Sequence, residues 1–141
     1  METPMDWELT DHTADFGLRV FGKDLEALFR NAALAVYDLM TDRSVLAATD
    51  TVSIRVEGDD RPDLMVNWLR EVLYCWIGHE LLVKDVIRLD LTAHAVHAEL
   101  ACAPFDAARH EILHEIKAVT YHDIDVSETA DGYCARIILD V

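Results

Sequence analysis

Acidic side chains occur at both ends of the chain, with an imidazole beside those near the start. Asp11, His12 and Asp15 lie within five residues near the start, while Asp140 ends an apolar, strand-like run and Val141 adds main-chain oxygens. Hard cations such as Ca²⁺, Mg²⁺ and Mn²⁺ prefer several carboxylate or carbonyl oxygens, and one local pair supplies too few. The residues predict one cation site assembled from both ends. The alternative is a turn whose Asp and Thr side chains bond nearby backbone N–H groups.

Lys117 is the one basic residue in another apolar, strand-like segment. Strict alternation places its side chain on one face with Val119, Tyr121 and Asp123. In a chain with 27 acidic residues, this lysine is either a solvated surface residue or a cation that binds a phosphate or orders a carboxylate.

Other common chemistries find little support. His110 and His114 are four residues apart, which suits zinc only on a helix, and no H-E-x-x-H motif accompanies them. The three cysteines, Cys75, Cys102 and Cys134, are isolated and lie in apolar segments. They predict reduced core thiols rather than disulfides or a zinc site.

Charge limits the partners that the chain can bind. Twelve Lys and Arg residues against 27 Asp and Glu give a net charge of −15. Binding to nucleic acid or to anionic lipid depends on basic side chains, so we expect neither, and we expect cations and basic protein surfaces instead. The first residues do not resemble a secretory signal, and no apolar run approaches the length of a membrane span. We expect a cytoplasmic protein.

The elements that must position these residues follow from periodicity. Two apolar stripes at helical spacing predict helices, the first capped by Asp24 and the second opened by Pro62 and ended by Gly78. Alternating or apolar segments predict strands at 6–11, 16–22, 51–57, 81–91, 94–102, 116–126 and 133–140. Asp131-Gly132 predicts a hairpin. The order indicates one domain over 1–141 of the α+β class, with two helices packed on largely antiparallel or mixed sheet.

Five segments together resemble the archease family, and they span nearly the whole chain in order. They are Asp11-His12-Thr13-Ala14-Asp15, Gly17-Leu18-Arg19-Val20 with Gly22, Trp68-Leu69, Ile116-Lys117-Ala118-Val119-Thr120-Tyr121-His122 and Leu139-Asp140-Val141.

The resemblance implies a protein cofactor of the RtcB-type RNA ligase, which joins RNA ends in tRNA splicing and RNA repair. Archeases promote guanylylation of that ligase, so that it turns over repeatedly. The family's metal-binding positions correspond to Asp15, Asp140 and the Val141 main chain, and its functional lysine to Lys117. Asp11, His12 and His122 are then expected to support the ligands. The cation is Ca²⁺, Mg²⁺ or Mn²⁺, with Ca²⁺ expected in a crystal, and the GTP site belongs to the partner.

Two other functional classes stay open from the sequence. One is a stand-alone metal-dependent phosphoesterase using Asp15, Asp140 and His12, although no nucleophile or base is evident beside the predicted metal ligands. The other is a chaperone-like adaptor, which requires an exposed apolar patch that the sequence does not reveal.

Overall fold

The computed structural model describes residues 6–10 and 15–141. In these residues the elements are β1 (Trp7–Thr10), β2 (Phe16–Gly22), α1 (Leu25–Met40), a short 3₁₀ turn (Arg43–Val45), β3 (Asp50–Glu57), α2 (Arg61–His79), β4 (Leu81–Leu91), β5 (Ala95–Pro104), β6 (Ala118–Thr129) and β7 (Gly132–Asp140). Every pairing between these strands is antiparallel. The predicted α+β class is therefore confirmed.

The strands divide into two sheets, a division that the sequence did not predict. One sheet has four strands in the order β1-β2-β7-β6, and the other has three in the order β3-β5-β4. The last strand of the chain thus lies inside the four-stranded sheet, between β2 and β6. This position places Asp140 at the end of a central strand rather than on an edge.

Helix α1 packs between the two sheets. It contacts β2 and β7 of the larger sheet and β4 of the smaller one. All side chains from Ala32 to Tyr37 are buried, so the helix is apolar around its whole circumference there. A helix of this kind needs neighbours on every side. The predicted apolar stripe was narrower than the surface that α1 buries.

Helix α2 keeps one face in water and joins α1 through the other. The indole Nε1 of Trp68 donates to the Phe29 carbonyl at 2.8 Å, and the Tyr37 hydroxyl donates to the Val72 carbonyl at 2.6 Å. Both bonds are buried, so they fix the two helices against each other. No α-helix among the described residues has the length and apolar character needed to cross a bilayer.

Several predicted boundaries differ from the structure by one to three residues, and two of them have physical consequences. Helix α2 does not end at Gly78 but continues to His79, and Glu80 caps it in the left-handed conformation with φ of 51°. Its N–H donates to the Trp76 carbonyl at 2.9 Å, which satisfies the last turn without a glycine. Strand β6 begins at Ala118 rather than at residue 116, so Lys117 lies just before the strand.

The predicted face shared by Lys117, Val119, Tyr121 and Asp123 is also wrong. Lys117 is exposed whereas Val119 is 1% exposed. The ladder between β6 and β7 is regular up to Thr120 and resumes only at Asp125. This bulge interrupts the alternation of side chains, and Asp123 within it has a φ of 52°.

Asp24 caps α1 as predicted, because its Oδ1 accepts a hydrogen bond from the Ala27 N–H at 2.8 Å. Asp24→Ala leaves that N–H without its partner. We expect the free energy of unfolding to fall by about 1 kcal/mol in urea denaturation. Asp24→Asn, which keeps an oxygen acceptor, should lose much less. Equal losses in both variants would contradict the capping role.

Candidate functional site

Three strands of the larger sheet bring the predicted site residues to one end. Phe16, the first residue of β2, pairs with Leu139, so Asp15 lies beside Asp140 where β7 ends. On the other side of β7, Asp140 pairs with Ala118 at the start of β6. We call Asp15, Lys117, Asp140 and Val141 the carboxylate end. Neighbouring strands are ~4.8 Å apart, so these backbones are immediate neighbours.

The backbone of Lys117 is bonded directly to the strand that carries the carboxylate. Its N–H donates to the Asp140 carbonyl at 2.8 Å, one position beyond the β6 strand itself. Lys117, Asp140 and Val141 are exposed, while Asp15 is half-buried. Basic and acidic side chains therefore meet water together at this end of the sheet, where an ion or a second protein can reach them.

The donor set at the carboxylate end suits a hard cation. Asp15 and Asp140 offer carboxylate oxygens, and the Val141 main chain offers another oxygen, with no thiolate or imidazole among them. Across residues 6–10 and 15–141, no three His, Cys, Asp or Glu side chains cluster closely enough to hold a metal ion. Asp11 and His12 lie outside the described residues. A cation held by these donors would keep positions open for other ligands.

The segment between β5 and β6 packs beside the carboxylate end. The Leu113 N–H donates to the Met40 carbonyl at 2.7 Å, and the Thr41 hydroxyl donates to the Glu111 carbonyl at 2.8 Å, which ties the segment to the end of α1. The His114 ring meets the Phe16 ring edge-on, with centroids 4.7 Å apart. His114 thus contacts the residue after Asp15, a position that its sequence did not indicate.

The possible zinc pair is not formed. His110 and His114 lie in a non-helical segment, and His110 Nδ1 accepts from the Asp106 N–H at 3.0 Å, away from the Phe16 contact of His114. Each ring therefore has its own neighbours.

His122 lies within the bulge of β6, opposite Ile137 rather than Asp140. Its Nε2 is 3.4 Å from the Asp123 carboxylate. Asp140 is three positions along the strand from Ile137, which is about 10 Å. A supporting role for His122 at the carboxylate end stays a prediction.

Contacts between α2 and β6 had no signal in the sequence. Arg70 Nε donates to the Val119 carbonyl at 3.1 Å, and its guanidinium carbon is 4.6 Å from the centroid of the Tyr121 ring. The Tyr121 hydroxyl donates to Asp63 Oδ1 at 2.7 Å. Hydrogen bonds from the Asp59 N–H and then from Tyr121 lower the pKa of Asp63, and the bond to Asp63 raises the pKa of Tyr121. The carboxylate therefore remains an acceptor, and the hydroxyl a donor, at neutral pH.

The cysteines lie away from this site. Cys75 and Cys102 are buried thiols, as predicted, and Cys134 is half-buried. Burial raises the pKa of the Cys134 thiol, which disfavours the reactive thiolate.

Comparison with known proteins gives matches over almost the whole chain. The family model of the Archease protein family matches residues 7–141. The protein archease of Methanosarcina barkeri is 32% identical over 139 residues, covering 96% of this chain and 95% of that protein. The one from Archaeoglobus fulgidus is 34% identical over 139 residues, with 97% and 100% covered.

A solved structure shares the fold. The solution structure of Methanobacterium thermoautotrophicum protein 1598 superposes with a TM-score of 0.76 at 31% identity, covering 96% of this chain and 99% of that one. With a family model and relatives matched over almost the whole length, the chain belongs to the archease family.

Proposed function

We propose that this protein is a metal-binding cofactor of an RtcB-type RNA ligase, which promotes guanylylation of the ligase and so its multiple turnover in tRNA splicing and RNA repair. Family membership supports the proposal. The observation that carries it is the strand register, which gathers Asp15, Asp140 and Lys117 at one exposed end of a sheet.

The carboxylate end supplies too few ligands to enclose a cation. A hard cation such as Mg²⁺ is commonly bound by one or two carboxylates together with substrate phosphates. Such an ion, when bound, neutralises the charge of phosphate oxygens and orients them. We propose that Asp15, Asp140 and the Val141 main chain present a divalent cation, with its remaining positions facing the GTP of the ligase.

Lys117 is suited to contact the same ligand without binding the cation. Its ammonium is a compact point charge on a flexible stem, and its backbone is fixed one rung beyond Ala118. We propose that it meets a phosphate of GTP or an acidic group of the ligase. The ligase's own histidine makes the covalent bond to GMP, so the protein described here needs no nucleophile.

The net charge of −15 suits this partnership. A site that holds GTP and RNA is basic, and opposite charges speed the encounter of two proteins in a salt-dependent manner. We expect the RNA to be bound by the ligase and not by this chain, and both proteins to meet in the cytoplasm.

The test is a ligation assay with the cognate ligase in excess RNA, whose ends are a 2′,3′-cyclic phosphate and a 5′-hydroxyl. With GTP and Mn²⁺, the ligase alone should stop after about one turnover, and addition of this protein should allow many. Absence of any stimulation would contradict the proposal. Hydrolysis of a generic phosphoester by the purified protein in Mn²⁺ would instead favour the phosphoesterase.

Lys117→Ala should reduce the stimulation of ligation by about tenfold or more. The substitution removes the only basic side chain at the carboxylate end among the described residues. Calorimetric titration with Mn²⁺ should show cation affinity unchanged or slightly higher. The control is Lys84→Ala, whose Nζ donates to the Arg43 carbonyl at 3.1 Å in another part of the protein. Full stimulation by the Lys117 variant would show that this residue is dispensable.

A further inference from the structure

The start of strand β6, next to Lys117, is held by few contacts within its own sheet. Among residues 6–10 and 15–141, β7 is the only strand that pairs with β6, so the other edge of β6 has no partner strand there. Four residues, 121–124, stand opposite Ile137 alone. A bulge of this size interrupts the ladder immediately after the first three pairs, so the start of β6 is attached to β7 by those pairs, by the Lys117 N–H bond to the Asp140 carbonyl and by the Thr120 hydroxyl bond to the Ile138 carbonyl.

Helix α2 covers this exposed edge. Asp63, Asn67 and Arg70 follow one another at helical spacing on the face of α2 that meets β6. Arg70 Nε donates to the Val119 carbonyl, an edge group that the sheet leaves without a partner strand. The Tyr121 hydroxyl reaches Asp63 at 2.7 Å and Asn67 Oδ1 at 3.3 Å, while the Arg70 guanidinium lies over its ring.

Lys117 is two residues from Val119, so the contacts that α2 makes with Val119 and Tyr121 also hold the Lys117 backbone, from the side facing α2. On the inner side, its N–H is bonded to the Asp140 carbonyl. The start of β6 is thus attached to the carboxylate strand and to α2 at once. An arginine also bonds to an edge carbonyl of β4: Arg43 Nη1 donates to the Lys84 carbonyl at 2.6 Å.

We infer that Arg70 is a positioning residue for Lys117: through Val119 and Tyr121 it holds the start of β6 so that the lysine stays in fixed register with Asp140. We call Asp63, Arg70 and Tyr121 the α2 clamp. This inference rests on the proposed function, because it concerns how the lysine meets the ligase. Arg70 itself contacts neither the cation nor GTP.

The clamp contributes more to register than to overall stability. Arg70 is exposed, and Tyr121 is 47% exposed, so these contacts are largely solvated and add little to the folding free energy. Their removal should therefore loosen the start of β6 locally while the core stays folded.

The first measurement needs no ligase. In Arg70→Ala, amide hydrogen exchange at Lys117 and Ala118 should accelerate by about tenfold or more, while the denaturation midpoint stays close to that of the unmodified protein. Tyr121→Phe should give a smaller acceleration. The matched control is Arg55→Ala. It removes the same positive charge from an exposed arginine, one that pairs with Glu57 on β3. Unchanged exchange in the Arg70 variant would overturn the inference.

The second measurement is a double-mutant cycle in the ligation assay. Arg70→Ala should lower stimulation about fivefold with Mn²⁺ affinity unchanged, and Arg70→Ala/Lys117→Ala should be no worse than Lys117→Ala alone. Independent, multiplying losses would overturn the positioning role. If exchange accelerates as expected but Lys117→Ala stimulates normally, the clamp stands and the proposed function of the lysine fails.

Discussion

Asp140→Asn is expected to reduce stimulation of the ligase by at least about tenfold, and to weaken Mn²⁺ binding by a similar factor. The substitution keeps the size of the side chain but removes one of two carboxylate charges at the carboxylate end. Asp140 is exposed, so the free energy of unfolding should change by no more than about 0.5 kcal/mol. Calorimetry with Mn²⁺ and the ligation assay measure the two effects separately. Asp15→Asn should behave alike.

The matched control is Asp131→Asn in the hairpin between β6 and β7. Asp131 is also an exposed aspartate, but it lies in the turn at the opposite end of the same strand pair. It should keep both cation affinity and stimulation. If the Asp140 variant stimulates like the unmodified protein, the carboxylate end is not the functional metal site.

Trp68→Ala should cause the largest loss of stability in the chain, about 4 kcal/mol in urea denaturation. The side chain is fully buried, and its removal leaves a large cavity between the helices. It also deprives the Phe29 carbonyl of its indole donor. Typical domains have only ~5–15 kcal/mol in total, so this one substitution should remove a large fraction of the stability.

Tyr74→Ala is the comparison for this variant. Tyr74 lies on the same helix, but 52% of it is exposed, and its ring meets the ring of His79 in a T-shaped arrangement. Its substitution should cost no more than about 1 kcal/mol. A loss below 2 kcal/mol for Trp68→Ala would mean that the core relaxes to fill the cavity.

Elements with a local signal could be predicted from the sequence. The two helices follow from apolar spacing, and Asp24 caps α1 as expected because the cap bond joins residues three apart. The β6–β7 hairpin also forms, with Gly132 at a φ of 151° that favours glycine. The meeting of Asp15 with the Asp140 strand was predicted from chemistry, since one carboxylate pair could not satisfy a cation.

Features that depend on distant neighbours escaped prediction. Nothing in a strand's own residues says which strand it will pair with, so the division into two sheets was not visible. The β6 bulge was missed because alternation assumes a regular strand, whereas Asp123 adopts φ of 52°. Arg70 and Tyr121 meet across 51 positions of sequence, and His114 meets Phe16 across 98, so neither contact leaves a periodic pattern.

The most direct measurement is transfer of labelled GMP from GTP to the purified ligase, with this protein at one-tenth of the ligase concentration. If the protein is an activating cofactor, nearly all of the ligase should become guanylylated, because each molecule serves many ligase molecules in turn. The amount should fall with Asp140→Asn and with rising salt. Guanylylation that is equal with and without the protein would contradict the proposed function.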